Sequence, residues 1–438
     1  MSVAVSVVRP RNRLETTIPV VGFTVAALTV LVGQAIKAAG GQLGVFFPPF
    51  YIQWQPHIGP LALVSAMVVS GAAVLIPSLI WRPRQRVVVA AALFAVALAL
   101  GVSLNVARGV HQLWAIFQAT PGGPAEPWNE YLPGLPALDH GIAHYVSHFP
   151  ALFPSLPQKV TGNPPGPLIA IHLLGIHTAG GLAALCIGTG ALTAPLAYDL
   201  GRTLGGEERG RVAGVLTAFA PSLLLWGVTS VDYAFATLGL ASACLLVRGG
   251  PWPRAAGAVL AAVGSFFSWL LLAIPAWAVL VALRRKGRRD ALTLAGGCAL
   301  ATLTVYGALT LTLGYDPFAA LNATAAVYRH GIAHTRPYAY WLFGSPVAWG
   351  IGLGVPTAWA LLRAVSVRDP AALALATLVL LGAVLGFTKA ETERIWLPFV
   401  PLACVAAAGV LPARGLRTAV WLLAAQAFAV ELLFFTIW

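Results

Sequence analysis

The stretch "TKAETERIW", Thr388 to Trp396, packs Lys389, Glu391, Glu393 and Arg394 into six residues between two long apolar runs. Cations at the outer end of a membrane span suit a lipid phosphate, whose anion sits where its chain leaves the bilayer. Glu391 and Glu393 would orient those cations or grip sugar hydroxyls. The alternative is a solvated turn in which the four charges pair with one another, each exposed pair being worth about 0 to 1 kcal/mol. Upstream, Arg329, His330 and Arg336 lie within "YRHGIAHTRPYAYWLFGSP" (328–346) and can complete a phosphate pocket.

Two acids in the first half of the chain have the chemistry to take a proton from an attacking hydroxyl. Asp139 opens "DHGIAHYVSHF" and is also a good helix N-cap; Glu130, in "WNEYL", is the second candidate. His140, His144 and His148 share a helical face, with spacing that suits either a metal or the wet side of an interfacial helix. No carboxylate or Cys completes a metal set, so no metal is assigned and no cofactor is firmly implied, a divalent cation being left open. Tyr131, Tyr338, Tyr340 and Trp341 can stack on a sugar ring or an isoprene, or form an interfacial aromatic belt. Asp232, beside Thr229 and Ser230, either faces the same cavity or caps its helix. No Gly-rich phosphate loop, HExxH or Ser/His/Asp triad appears, so energy must arrive with a preactivated substrate or a gradient.

The elements that position these groups are membrane spans. The 438 residues are 58% hydrophobic and 9% charged, whereas soluble domains run at about 45–50% apolar and about 25% charged. Apolar stretches of spanning length recur from Ile18 to the last residue, which implies one integral membrane domain over 1–438. Cys186, Cys244, Cys298 and Cys404 fall inside spans and read as packing residues. The net charge of +13 does not point to nucleic acid, because its distribution reports topology. Basic clusters at 9–13, 82–86, 202–211, 248–254, 284–289, 363–368 and 414–417 alternate across the spans and hold all but seven of the 27 Lys and Arg. The positive-inside rule places them, and the N-terminus, in the cytoplasm of an inner (plasma) membrane protein.

Spans are expected near 18–36, 58–80, 87–107, 179–199, 211–228, 232–248, 291–313, 345–363, 371–388, 395–412 and 418–437. Residues 254–284 begin and end basic and are too short for two full crossings, so two half-helices meeting near Ser265 to Ser268 are expected. The total is about thirteen transmembrane elements in an all-α fold. Two extracytoplasmic loops are long, 108–178 and 315–344, and rich in Trp, Tyr, His and Pro, which implies order and function. The first loop should carry surface-lying helices around 166–177.

An external loop bearing an acid, then a Pro-Pro motif about two dozen residues on, resembles the membrane glycosyltransferases of the GT-C fold. The likeness is to the protein mannosyltransferase and aminoarabinose transferase branch, through "LDHGIAHY" (138–145) and "GNPPGPL" (162–168). His140 stands where that branch has a second acid, and Asn163 where it has a His before Pro-Pro. Residues 328–346 and "KAETERIWLP" (389–398) are similar to segments of actinobacterial-type polyprenyl-phosphate-sugar-dependent transferases. The resemblance implies an inverting transferase that moves a hexosyl or pentosyl group from a polyprenyl-phosphate donor to a cell-envelope glycan, lipid or protein. Asp139 or Glu130 would be its base and Arg394, Lys389, Arg336 and His330 its phosphate ligands. Glu391, Glu393, Tyr131, His140, His144, Asn163, Tyr338, Trp341 and Asp232 would contact the sugar or acceptor. A secondary transporter or lipid flippase is the alternative; it would ordinarily carry broken helices with polar groups at mid-bilayer. A non-catalytic membrane subunit would tolerate loss of Asp139, Glu130 and Arg394 together.

Overall fold

The computed structural model describes residues 14–82 and 85–436; Arg9, Arg11, Arg13 and Arg84 of the basic clusters and the end of the last expected span lie outside them. The first three apolar runs form long helices, α1 (Leu14–Ala38), α2 (Pro60–Leu79) and α3 (Arg86–Val106). The first long loop holds three short helices, α4 (Ile142–Ser147), α5 (Gln158–Thr161) and α6 (Gly166–Leu173), among 3-10 turns set by its prolines. Next, α7 (Ala179–Gly190) is capped by the Thr178 hydroxyl, and α8 (Thr193–Ala218) leaves helical geometry at Gly205 and Gly206. That departure separates the two spans expected at 179–199 and 211–228.

α9 (Asp232–Val247) leads to α10 (Pro251–Ser265) and α11 (Ala273–Lys286), separated by a break at 266–268 and one 3-10 turn. The expected pair of half-helices is therefore present, with its break at the expected place. α12 (Arg288–Leu313) is the longest outer helix, and α13 (Pro317–His330) is started by Asp316, whose carboxylate accepts from the Phe318 and Ala319 amides. The span expected at 345–363 is different. It is built from α14 (Tyr338–Gly352) and α15 (Val355–Ser366), which meet at a bend of 116°. Gly354 at the bend has φ +87, a backbone that favours glycine, and Pro356 in the first turn of α15 starts a new helix. The chain ends with α16 (Pro370–Leu385), the single turn α17 (Thr392–Ile395), α18 (Val400–Ala407) and α19 (Leu416–Leu433). The helices are joined by a short ribbon: β1 (Gln53–Trp54) pairs antiparallel with β2 (Phe434–Phe435), tying the loop after α1 to the end of α19.

α8, α9 and α18 form the centre, and all eight residues of α18 are buried. α1 and α12 lie outside and leave most of their apolar surface uncovered by protein, as lipid-facing helices do. Among the described residues, six helical segments are long and apolar enough to cross a membrane, seven if the bent α14–α15 pair is one span. The shorter apolar helices α9, α16 and 397–407 stand between them. The result is a helical, membrane-embedded architecture.

Candidate functional site

The segment after α16 is turned inward by its backbone. Ala390 and Glu391 have φ of +68 and +57, left-handed values that cost a side-chain-bearing residue on the order of 1–2 kcal/mol each. Four hydrogen bonds hold this turn. Thr392 Oγ1 donates to Ser345 O at 2.6 Å, Ser345 Oγ to Thr388 O at 3.2 Å, Trp396 Nε1 to Thr388 Oγ1 at 2.9 Å, and the Lys389 amide to Tyr328 OH at 2.6 Å. Strain kept in place by surrounding structure is frequent at functional positions.

Its consequence is that Glu391, Glu393 and Arg394 are all buried. They do not form a solvated turn. Arg394 donates through Nη1 to Asp232 Oδ2 at 2.5 Å and through Nη2 to Glu391 Oε2 at 3.2 Å. The other Glu391 oxygen accepts from Arg336 Nη2 at 2.5 Å, and Arg336 also donates to Lys389 O at 2.6 Å and Gly44 O at 3.3 Å. Asp232 accepts from Ser230 Oγ at 2.7 Å, so it serves as an ion partner and not only as the first residue of α9. Residues from the loop after α1, from α9, from the loop before α14 and from the 388–396 turn thus share one network. Gly44, with φ +68, approaches so closely that a Cβ there would lie 2.8 Å from Arg336 Cγ.

A second buried pair adjoins it. Lys159 Nζ lies 2.6 Å from Glu130 Oε1, with side-chain exposures of 9% and 0%. Asn163 Nδ2 bridges the pair to Tyr131, donating to Tyr131 OH at 3.1 Å and to Lys159 O at 3.2 Å. Electrostatics couple the two pairs. Burial, then the charge of Arg394, pull the Lys159 ammonium below the ordinary lysine range, opposed by Glu130 and Asp232. Burial and then Asp232 push the Tyr131 hydroxyl well up. Burial alone would lower the Arg394 guanidinium, but Asp232, Glu391 and Glu130 outweigh it and hold the proton more firmly than usual. Burial would raise Glu391, yet Arg336 and Arg394 together keep its carboxyl below the usual range.

Three cations, Arg336, Arg394 and Lys159, therefore face three carboxylates, Glu391, Asp232 and Glu130. A fourth carboxylate, Glu393, accepts from the Tyr51 amide at 3.0 Å, and burial pushes it up to about 7. An apolar cavity of about 250 Å³ runs between α1 and α14, lined by Val25, Leu28, Thr29, Val32, Ala339, Tyr340 and Phe343, and its Tyr340 packs in one buried cluster with Leu43 and with Ala390 of the inward turn. Its Tyr340 lies on the first turn of α14, four residues beyond Arg336, and Tyr340 OH donates to Thr29 O at 3.4 Å.

The other candidate side chains make contacts outside these ion pairs. Asp139 is exposed and does not cap a helix: α4 starts at Ile142 behind Gly141, whose φ of +91 suits glycine, so the expected Asp139 cap is corrected. His140 precedes α4; on the exposed surface it meets His144 edge-on, ring centroids 5.5 Å apart, and His144 stacks on His148 at 4.4 Å. His330 is exposed, its Nδ1 2.9 Å from Ala326 O of its own helix. Lys389 Nζ donates to Ala333 O at 3.4 Å, Tyr338 OH to Val384 O at 2.6 Å, and buried Trp341 Nε1 to Leu43 O at 3.2 Å. Lys159, Ser230, Gly44 and Tyr51 belong to the network but were not among the expected site residues. The signal for Lys159 was available, since it is one of only seven cations off the basic clusters. Gly44 and Tyr51 contribute backbone atoms, which leave no trace in side-chain type.

No family model matches the chain, and no curated protein matches it. The fold and the site define a helical membrane protein with a charge-balanced ionic cluster beside an apolar, lipid-side groove.

Proposed function

We propose that the protein is an inverting glycosyltransferase of the GT-C type, with about thirteen spanning elements once its shorter helices are counted. It moves a sugar from a polyprenyl-phosphate donor to a cell-envelope glycan, lipid or protein on the extracytoplasmic face of the plasma membrane, with its N-terminus cytoplasmic. The observation that carries this reading is the junction of apolar groove and ionic cluster, which matches a ligand that is isoprenoid at one end and anionic at the other. The isoprenoid lies along α1 and α14, and the phosphate reaches Arg336, Arg394 and Lys389, with His330 at the rim.

In the reaction, the acceptor hydroxyl gives its proton to a carboxylate as its oxygen bonds to the anomeric carbon. The carbon–oxygen bond to phosphate breaks, its electron pair leaving on the phosphate, and the configuration inverts. Glu130 takes the proton in preference to Asp139, because it sits in the cluster and Asp139 does not. Paired guanidiniums near the leaving group stabilise the charge it gains. Tyr131, Asn163, Asp232, Glu391 and Glu393 are the sugar-facing groups; His140, His144, Tyr338 and Trp341 take no part in this step.

The test uses protein in liposomes with radiolabelled polyprenyl-phosphate sugar and extracted envelope acceptors. Wild type transfers label, and Glu130→Gln and Arg394→Met each lower transfer at least about a hundredfold, the scale of a lost proton acceptor. Asp139→Asn retains transfer. One observation favours a second reading, transport: the 116° bend between α14 and α15 beside buried charges is the kind of broken helix that carriers use. Absence of transfer by wild type together with counterflow uptake in the same liposomes would select it.

A further inference from the structure

The opposite, basic end of the bundle holds a site that the transfer reading does not use. Residues 284–289 place Arg284, Arg285, Lys286, Arg288 and Arg289 around the α11–α12 junction, and the first four of these have exposed side chains, as has Arg289. Beneath them is a cleft of about 20 Å³, room for one oxygen-sized group, between the end of α9 and the facing turns of α10 and α11. Arg254, Arg285 and Lys286 line its rim, and Leu246, Val247 and Val281 its floor.

The cations here are not cancelled as those of the ionic cluster are. Asp290 is engaged by both Nη atoms of Arg254, at 2.9 and 2.8 Å. Arg254 Nε, buried at the cleft, has no hydrogen-bond partner among the described residues. Asp199, the other nearby acid, is taken by Arg202 and Arg248. Arg285 is held in place by donation to Leu204 O at 3.1 Å, and with Lys286 it lines the cleft. Alongside, the uncovered face of α12 presents Leu292, and α11 presents Leu283, while Trp252 at the start of α10 is 83% exposed as an interfacial anchor would be.

We propose that this cleft binds the phosphate of an anionic phospholipid, one phosphate oxygen entering between Arg254, Arg285 and Lys286 and the acyl chains lying along Leu283 and Leu292. Basic pockets between spanning helices at the positively charged side are suited to such head groups. The inference stands apart from the transfer reading and fails or holds without it.

Native mass spectrometry of the full chain, released from micelles doped with equal phosphatidylglycerol, cardiolipin, phosphatidylethanolamine and phosphatidylcholine, provides the test. Wild type is expected to retain phosphatidylglycerol or cardiolipin over the other two. Arg285→Ala/Lys286→Ala lowers that retention about tenfold, and Arg414→Ala, at another basic loop, leaves it unchanged. Because Arg285 also braces Leu204, Lys286→Glu, at an exposed position, is measured beside it and must show the same loss. Equal retention of all four lipids, or full retention by both variants, overturns the proposal. Release of the bound lipid by inorganic phosphate at equal concentration also overturns it, since the site would then be one for a soluble anion.

Discussion

Replacing Arg394 by methionine keeps an unbranched stem that reaches about as far as Nε and removes the charged guanidinium head. In the structure the guanidinium contacts Asp232 at 2.5 Å and Glu391 at 3.2 Å, and the three side chains are 8%, 13% and 9% exposed. An exposed pair of this kind would be worth about 0 to 1 kcal/mol. Removing one partner of a buried pair strands the other, at a cost of about 3–5 kcal/mol. Glu391 keeps Arg336, so the stranded group is Asp232, which keeps the hydrogen bond from the Ser230 hydroxyl. Arg394→Met should therefore lose about 3–5 kcal/mol, and adding Asp232→Asn should return about 1–3 kcal/mol of it, the range for residues in contact. Unfolding by SDS titration in mixed micelles, followed by tryptophan fluorescence, measures all four corners of this cycle. A loss under about 1 kcal/mol for Arg394→Met, or a double variant whose loss equals the sum of the singles, would mean that water screens these charges and that the network is not a buried one.

Glu393 is raised from its ordinary 4.5 to about 7, so the folded chain holds its extra proton between those values; the stabilisation is complete below about pH 4.5 and is lost as pH rises through 7. That amounts to about 3 kcal/mol, and Glu393→Gln should flatten the stability profile across this window, which SDS titration at pH 5.5 and 8 reads directly. Ala390→Gly relieves a left-handed residue and should be neutral or stabilise by up to about 1 kcal/mol, whereas Ala390→Val should destabilise by more than that; a loss of 1 kcal/mol from glycine contradicts the assigned backbone. Glu130→Gln leaves Lys159 buried without its carboxylate and should cost about 3 kcal/mol in the same titration, while Asp139→Asn, at an exposed site, should stay within about 0.5 kcal/mol.

Much of the architecture was legible because spans announce themselves as apolar runs bounded by basic residues. The break between α10 and α11 was readable for a further reason: a 29-residue stretch with basic ends cannot cross twice as full helices. The bend at Gly354 was not, since the run from 345 to 362 carries no charge and the Gly-Val-Pro signal at 354–356 sits inside it. The β1–β2 ribbon is two residues on each side, too short for any periodicity. Within the site, Arg336, Glu391 and Arg394 stood out by type and by depth. Pairing of Glu130 with Lys159 crosses 29 residues of Pro-rich loop, whose path no local rule gives. Asp139 looked like a cap by type, but Gly141 starts the helix two residues later with a φ that an Asp would not adopt readily.

The balance of charge in the cluster constrains how any anion can use it. Arg336 and Arg394 already share Glu391, and Arg394 also holds Asp232, so neither guanidinium meets an incoming phosphate with its charge uncommitted. A phosphate must therefore take the place of a carboxylate, and a displaced carboxylate in a buried site is costly unless it is protonated or reaches water. Glu393 already lies near that threshold, one residue from Arg394, and its amide partner Tyr51 belongs to the same loop that brings Gly44 O to Arg336. Movement of residues 43–51 would thus expose Arg336 and release Glu393 in one step. In this arrangement the cations are neutralised from within, so a ligand that used them would compete with Glu391 and Asp232 for the same guanidinium protons.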